Sequence, residues 1–518
     1  MKQVKLILSV LILFTVVISA VSAESIRTEL EKSNYGKLTT HSEMMKYLVK
    51  LDSKSRNVTM KIIGHSVQGR EIPAIFFSLD KKFGSKRAVK PVVLIYCQQH
   101  GNEPSGKEGV LIFSRSLLAK NKYLLNNMDI IIVPMVNPDG GDAGKRRNAN
   151  NKDLNRNHVI LSEPESYAVH QLFLKWMPEV TLDIHEYNAI LKSWIEKGFI
   201  KDADEMLGGV TNLNIDKKIR DLSSYIIPEV GDRIKQKGFI FHEYVVGAPF
   251  KNMRLRTSTT NINDGRQSMG IYNTLSFIIE GKRYGDLTTE IKRRTEGQIA
   301  AIESFLSVIA ENRDNILKTV STSRKAIINN LFLEKSIALQ MDYFTDNNNN
   351  TIMFPVFNLY NWHHEIKELN NYTSLVKIKK SVKVPFGYII PKSETRILDI
   401  LKKHKIKMLK ITENTEVNSQ IYKIKHVTEM IEEEKEEKFV DAERDAIIKN
   451  VSEGDIFIPV LQRAGNLIVL LLEPESSIGL VSKRSGRDLR FKEYLKEGAE
   501  YPIIRVPEKV ELRLEPVE

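Results

Sequence analysis

The chain has 518 residues, enough for more than one domain and a sizeable core. Its formal charge of +12 is spread along the chain and broken by acidic runs such as that at 432–437. No basic stripe with interleaved aromatics occurs, which argues against nucleic acid as a partner. The single cysteine, Cys97, excludes a disulfide within the chain and reads as a small buried hydrophobe.

Lys2 and Lys5 precede an apolar run at residues 6–18, and Val21-Ser22-Ala23 offers small residues before Glu24. That is the pattern of a secretory signal peptide cleaved after Ala23, too short to span a bilayer comfortably. A secreted or periplasmic protein is expected, with no transmembrane segment after cleavage. No long pro-segment follows, so no zymogen is expected.

Residues 41–51 read as a short helix. Residues 60–78 read as a hairpin turning at Gln68-Gly69. His65 in its first arm has no spaced partner and is expected to be an ordinary polar residue.

The stretch VVLIYCQQHGNEPSGKEG at 92–109 reads as a buried strand running into a polar turn that holds His100 and Glu103. A helix follows, with Pro104 near its start. An imidazole and a carboxylate three residues apart can converge on one Zn²⁺. Such a pair also arises by chance and carries no weight alone.

MDIIIVPM at 128–135 is a second apolar strand, leading into a turn at Asn137-Pro138-Asp139-Gly140. A loop with Arg146 and Arg147 follows, then Asp153-Leu154-Asn155-Arg156-Asn157. Residues 163–177 read as a helix and 180–184 as a strand ending at His185. Residues 216–237 read as a helix and 238–246 as a strand. NTLSFIIE at 273–280 is a strand ending in Glu280, and 288–317 a long amphipathic helix.

Strands alternating with helices predict an α/β domain with a mixed central sheet flanked by helices. His100, Glu103, His185 and Glu280 all fall where apolar strands end, the edge at which open α/β sheets place ligand sites. Residues 24–320 are expected to form this domain, 321–350 a linker containing DNNNNT, and 351–518 an α/β or β-rich accessory domain. The accessory region includes VPFGYIIP at 384–391, a helix near 394–404, a charge-rich stretch at 430–443 and the apolar run 467–472. His363 and His364 are adjacent and would diverge on a strand, so no metal role is expected of them.

Taken together, the motifs resemble the carboxypeptidase A-type zinc peptidases. The resemblance rests on His100-Gly-Asn-Glu103, the NPDG turn, Arg146 with DLNRN, LDIHE around His185, the strand-end Glu280, and Gly64-x-Ser66-x-x-Gly69-Arg70 in the hairpin, over about residues 60–281. It implies one zinc ion held by His100, Glu103 and His185, with a position left open for water. It implies Glu280 as general base toward the zinc-bound water, and Arg146, in preference to Arg147, as the oxyanion's partner. Asn155 and Arg156 would grip the substrate's terminal carboxylate, for which a planar guanidinium is suited.

The expected activity is therefore C-terminal trimming of peptides or proteins with a free C-terminus. The alternatives are an amidase or endopeptidase of cell-wall peptides or a related amide hydrolase of the same fold, and a non-catalytic binding protein that keeps the fold. Two features depart from the family pattern. The family's mobile-loop tyrosine is missing from 254–269, and Arg254, Arg256, Asp264 and Arg266 crowd the segment that forms the side-chain pocket. A charged terminal residue or a peptidoglycan-type substrate is the corresponding expectation.

Overall fold

The structure, a computed structural model, describes residues 26–250, 253–346, 350–432, 435–484 and 491–517. The segment read as a signal peptide, residues 1–23, lies outside the described residues. Among the described residues no helix is long and apolar enough to cross a membrane.

The hairpin forms as strand β1 (Val58–His65) paired antiparallel with β2 (Glu71–Phe77). Gly69 turns between them at φ +79, a left-handed conformation that glycine adopts without strain. Six further strands complete the sheet: β3 (Val92–Cys97), β4 (Asp129–Val133), β5 (Val180–Asn188), β6 (Glu205–Gly208), β7 (Phe241–Glu243) and β8 (Leu275–Arg283). Their order is β1-β2-β4-β3-β5-β8-β6-β7. The centre, β4-β3-β5-β8, is parallel, while β2 and β6 pair antiparallel to it, so the sheet is mixed.

VVLIYC in β3 and DIIIV in β4 are buried along their whole length rather than at alternate residues. Continuous apolar runs of this kind belong to strands covered on both faces. Each such Val, Leu or Ile contributes about 1.5–3 kcal/mol by leaving water. Helix α1 (His41–Lys54) packs on β1, as does α3 (Pro164–Trp176). Helices α2 (Ser105–Ser116), α4 (Lys217–Gln236) and α6 (Ile291–Glu311) pack together, with α4 and α6 also meeting β8. Between them in the chain lies the short α5 (Gly265–Gly270).

Five elements differ from the sequence expectation. The long helix at 288–317 is two, α6 and α7 (Arg313–Ile327), meeting at Asn312, which ends one and opens the other. Asparagine competes for backbone hydrogen bonds and favours helix ends. NPDG is a short helix, Pro138–Asp142, with Asn137 accepting the Gly140 N–H; Asn-Pro suits a helix start as well as a turn. The strand at 238–246 shrinks to β7 and the pair Val246–Gly247. Finally, β5 and β8 run three residues past His185 and Glu280, because the polar tails HEYN and EGKR keep pairing with each other.

The stretch 321–350 holds the end of α7 and strand Ser336–Phe344, which pairs with Leu375–Lys383. The second region is hydrogen-bonded into the first. Ile352–Asn358 pairs with Phe199–Lys201, and Tyr372–Thr373 runs parallel to Leu255–Arg256. Most of the rest is an antiparallel sheet, with helices Thr395–Lys403 and Gly465–Leu472. The charge-rich stretch belongs to a long hairpin, Thr415–Glu432 with Lys435–Val451. Under this sheet Glu473 is buried and satisfied by Tyr388, Tyr422 and Arg505. Such a fully paired buried carboxylate fixes a core without exposing chemistry.

Candidate metal centre and adjoining pocket

Three loops interlock beneath the site. Asp139, from NPDG, accepts hydrogen bonds from Ser66 Oγ at 2.9 Å and the Gln68 N–H at 3.0 Å, and pairs with Arg70 at 2.5 Å. The hairpin turn is thereby tied to the NPDG helix. Asn137 Nδ2 donates to the Gln99 carbonyl, and the Gly101 N–H donates to the Arg146 carbonyl. A Cβ on Gly101 would lie 2.1 Å from the Gly140 carbonyl carbon, so only glycine lets the two loops approach. Gly101→Ala is expected to destabilise the protein by about 3 kcal/mol and to lower metal affinity by shifting His100 and Glu103. A urea denaturation midpoint and a metal titration check the two effects.

His100 and Glu103 sit on the turn after β3, and His185 lies in β5 directly beside Glu280 of β8. The His100 and His185 Nδ1 atoms are 3.1 Å apart. Glu103 Oε1 lies 2.9 Å from the first, and Oε2 lies 2.9 Å from the second. Ligands bonded at about 2.0–2.1 Å around a tetrahedral ion stand roughly 3.3 Å apart, so the spacing fits zinc. The outer nitrogens explain the orientation. His100 Nε2 faces Asp153 Oδ1 at 3.1 Å, and His185 Nε2 faces Asp183 Oδ1 at 2.9 Å. A carboxylate behind each ring holds the proton on Nε2 and leaves the Nδ1 lone pair inward. Two such lone pairs and a carboxylate facing one point repel each other until a cation sits there. These three residues are the group of metal-binding type found among the described residues.

Glu280 shares a cavity of about 380 Å³ with His100, Glu103, Arg146, Asn155 and Arg156. Burial pushes its carboxyl up to about 7, with Glu103 adding to the rise and His185 and His100 opposing it. Arg146 bonds Asp153 Oδ2 at 3.1 Å and reaches to 3.4 Å from Glu103 Oε1. Arg147 instead donates to the Asn151 carbonyl, and lines an adjacent groove of about 700 Å³ that holds none of the four strand-end residues. Asn155 is engaged within the fold, accepting the Gly265 N–H at 2.7 Å. His100, Glu103, Arg146, Asn155, Arg156 and Glu280 thus line one cavity, with His185 against His100 and Glu103 at its edge, while Arg147 lies apart.

Other residues there escaped the sequence reading. Asp183 and Gln99 form a buried bracket behind His185, Gln99 Nε2 donating to both Asp183 oxygens at 2.9 Å. Asp183 stood in the quoted LDIHE motif without a role, two residues before His185 and on the same face of the strand. Tyr244 lines the cavity, although no tyrosine occurs at 254–269. Tyr272 points elsewhere, its hydroxyl 3.2 Å from His404 Nδ1. Glu437, from the long hairpin of the second region, also lines the cavity.

Residues 44–194 match the family model described as zinc carboxypeptidase. Carboxypeptidase 2 of Trichophyton tonsurans is 29% identical over 271 residues, covering 51% of this chain and 50% of that protein. Carboxypeptidase E of Caenorhabditis elegans is 31% identical over 149 residues, covering 25% of this chain and 31% of that protein. The chain spans about half the length of the Trichophyton relatives it matches. A Pseudomonas aeruginosa metallo-carboxypeptidase structure aligns at TM-score 0.39 and 20% identity, covering 53% of this chain and 68% of its own. The Helicoverpa armigera carboxypeptidase A structure aligns at TM-score 0.41 and 19% identity, covering 54% and 75%.

Proposed function

Because residues 44–194 match the zinc carboxypeptidase family model, we propose that the chain is an exported metallocarboxypeptidase that removes the C-terminal residue of peptides. Residues 1–23 serve as its signal peptide and 24–320 as its catalytic domain. The second region contributes Glu437 to the lining of the pocket. The observation that carries this reading is the inward convergence of three lone-pair donors, with Glu280 and Arg146 on the same cavity.

His100, Glu103 and His185 would hold one zinc ion, which supplies Lewis acidity and an acidified water. Glu280 accepts the water proton and returns it to the leaving amine, a task suited to a carboxyl held near 7. Arg146 donates to the oxyanion that forms as the carbonyl is attacked. Asn155 and Arg156 hold the terminal carboxylate. Asp153 and Asp183 keep both imidazoles aimed.

Matched peptides with free and amidated C-termini test the reading. Release of the last residue from the free peptide alone is expected, because a carboxylate site left without its anion loses most of its transition-state binding. Equal hydrolysis of the amidated peptide would favour the amidase or endopeptidase alternative.

A further inference from the structure

Arg266 is the second residue of α5 and lines the cavity that holds Glu280. Its side chain is only 1% exposed. Its Nε and Nη1 have no hydrogen-bond partner. Its remaining polar contact is Nη2 to Asp264 Oδ2 at 3.5 Å, and Asp264 already caps α5 through the Gln267 N–H at 2.7 Å. Among the described residues no other carboxylate comes within ion-pair distance of it. A buried guanidinium with most of its donors unused is costly, and is retained where a ligand supplies the missing anion.

The surroundings hold the fork in place. The guanidinium carbon lies 5.2 Å from the centre of the Tyr244 ring. On the neighbouring strand a Cβ at Gly208 would come within 3.0 Å of Arg266 Nη1 and 2.6 Å of Tyr244 Cβ, so glycine makes the room. The Gly265 N–H donates to Asn155 Oδ1, which ties α5 to the loop carrying Asn155 and Arg156. An anion on Arg266 therefore lies one residue along the chain from the anchor of the proposed terminal-carboxylate site.

Resting on the carboxypeptidase reading, we propose that Arg266 binds a side-chain carboxylate of the substrate's last residue, so that the enzyme selects C-terminal glutamate or aspartate. Arg156 takes the main-chain carboxylate and Arg266 the side chain. A basic terminal residue meets a cation at that point, and an apolar one leaves the guanidinium unpaired.

The test uses the full zinc-loaded chain and peptides that differ only in a terminal Glu, Gln, Leu or Lys. The wild type is expected to favour Glu over Gln by about 100-fold or more in kcat/KM. In Arg266→Met the Glu:Gln ratio should fall toward one, while Arg266→Lys should keep part of it, with zinc content and a thermal melt reporting that each variant is folded. A wild-type preference for Leu or Lys overturns the proposal without any variant, as does an unchanged Glu:Gln ratio in folded Arg266→Met. Release from none of the four peptides overturns the carboxypeptidase reading, and this proposal with it, and is told apart by the missing activity on every terminus.

Discussion

Glu280→Gln is expected to lower kcat by about 10²–10⁴-fold, the usual contribution of a positioned proton carrier, and to leave the metal content unchanged. The substitution keeps the shape of the side chain and removes its capacity to accept a proton. Glu280 is held opposite His185 by the β5–β8 register, so the amide is placed where the carboxylate was. Losing a charge from a site where burial disfavours it does not threaten the fold. KM should change little if the residue acts in the chemical step. A fall in metal content parallel to the fall in kcat would instead make Glu280 a ligand.

His185→Ala is expected to remove the metal and with it all measurable turnover. It deletes one of three donors and takes from the buried Asp183 its contact with His185, leaving Gln99 donating to both Asp183 oxygens. Loss of a supporting partner behind a ligand costs about 10–100-fold in metal affinity, so loss of the ligand itself should cost more than about 100-fold. Titration against a competing chelator reads the effect. Asp183→Asn, which keeps the ring but weakens its support, should fall inside the 10–100-fold range. Equal affinity in wild type and His185→Ala would remove His185 from the centre.

The strand-end positions of His100, Glu103, His185 and Glu280 were legible from local pattern, whereas roles for Arg146, Asn155 and Arg156 came only from the family resemblance. VVLIYC and DIIIV are strands by composition alone, and the His100 and Glu103 turn is fixed by where VVLIYC stops. Convergence is a different matter. Strand order β3-β5-β8 brings His100, His185 and Glu280 together, and such order depends on crossovers that local sequence does not encode. Asp183 was hidden as an ordinary strand residue, since its role depends on the proton it fixes on His185. Tyr244 and Arg266 meet only because Gly208, far away in sequence, leaves space between them.

The second region was least legible. The strands Thr415–Glu432 and Lys435–Val451 are joined through a stretch of sequence dense in lysine and glutamate, so alternation fails there and composition suggests a solvated charge run. The two strands pair with each other along their length and are buried at Val417, Tyr422, Ile424, Phe439, Val440 and Val451. That charge-rich composition is also why Glu437 could not be foreseen in the pocket.

The most direct test of the central claim is metal stoichiometry measured with C-terminal release on the same sample, before chelation, after it, and after zinc is restored. One zinc per chain, with release of the terminal residue lost and regained alongside the metal, is the result expected of His100, Glu103 and His185 acting as one catalytic centre. Release that persists in fully chelated protein, or a chain that binds no zinc, would contradict it.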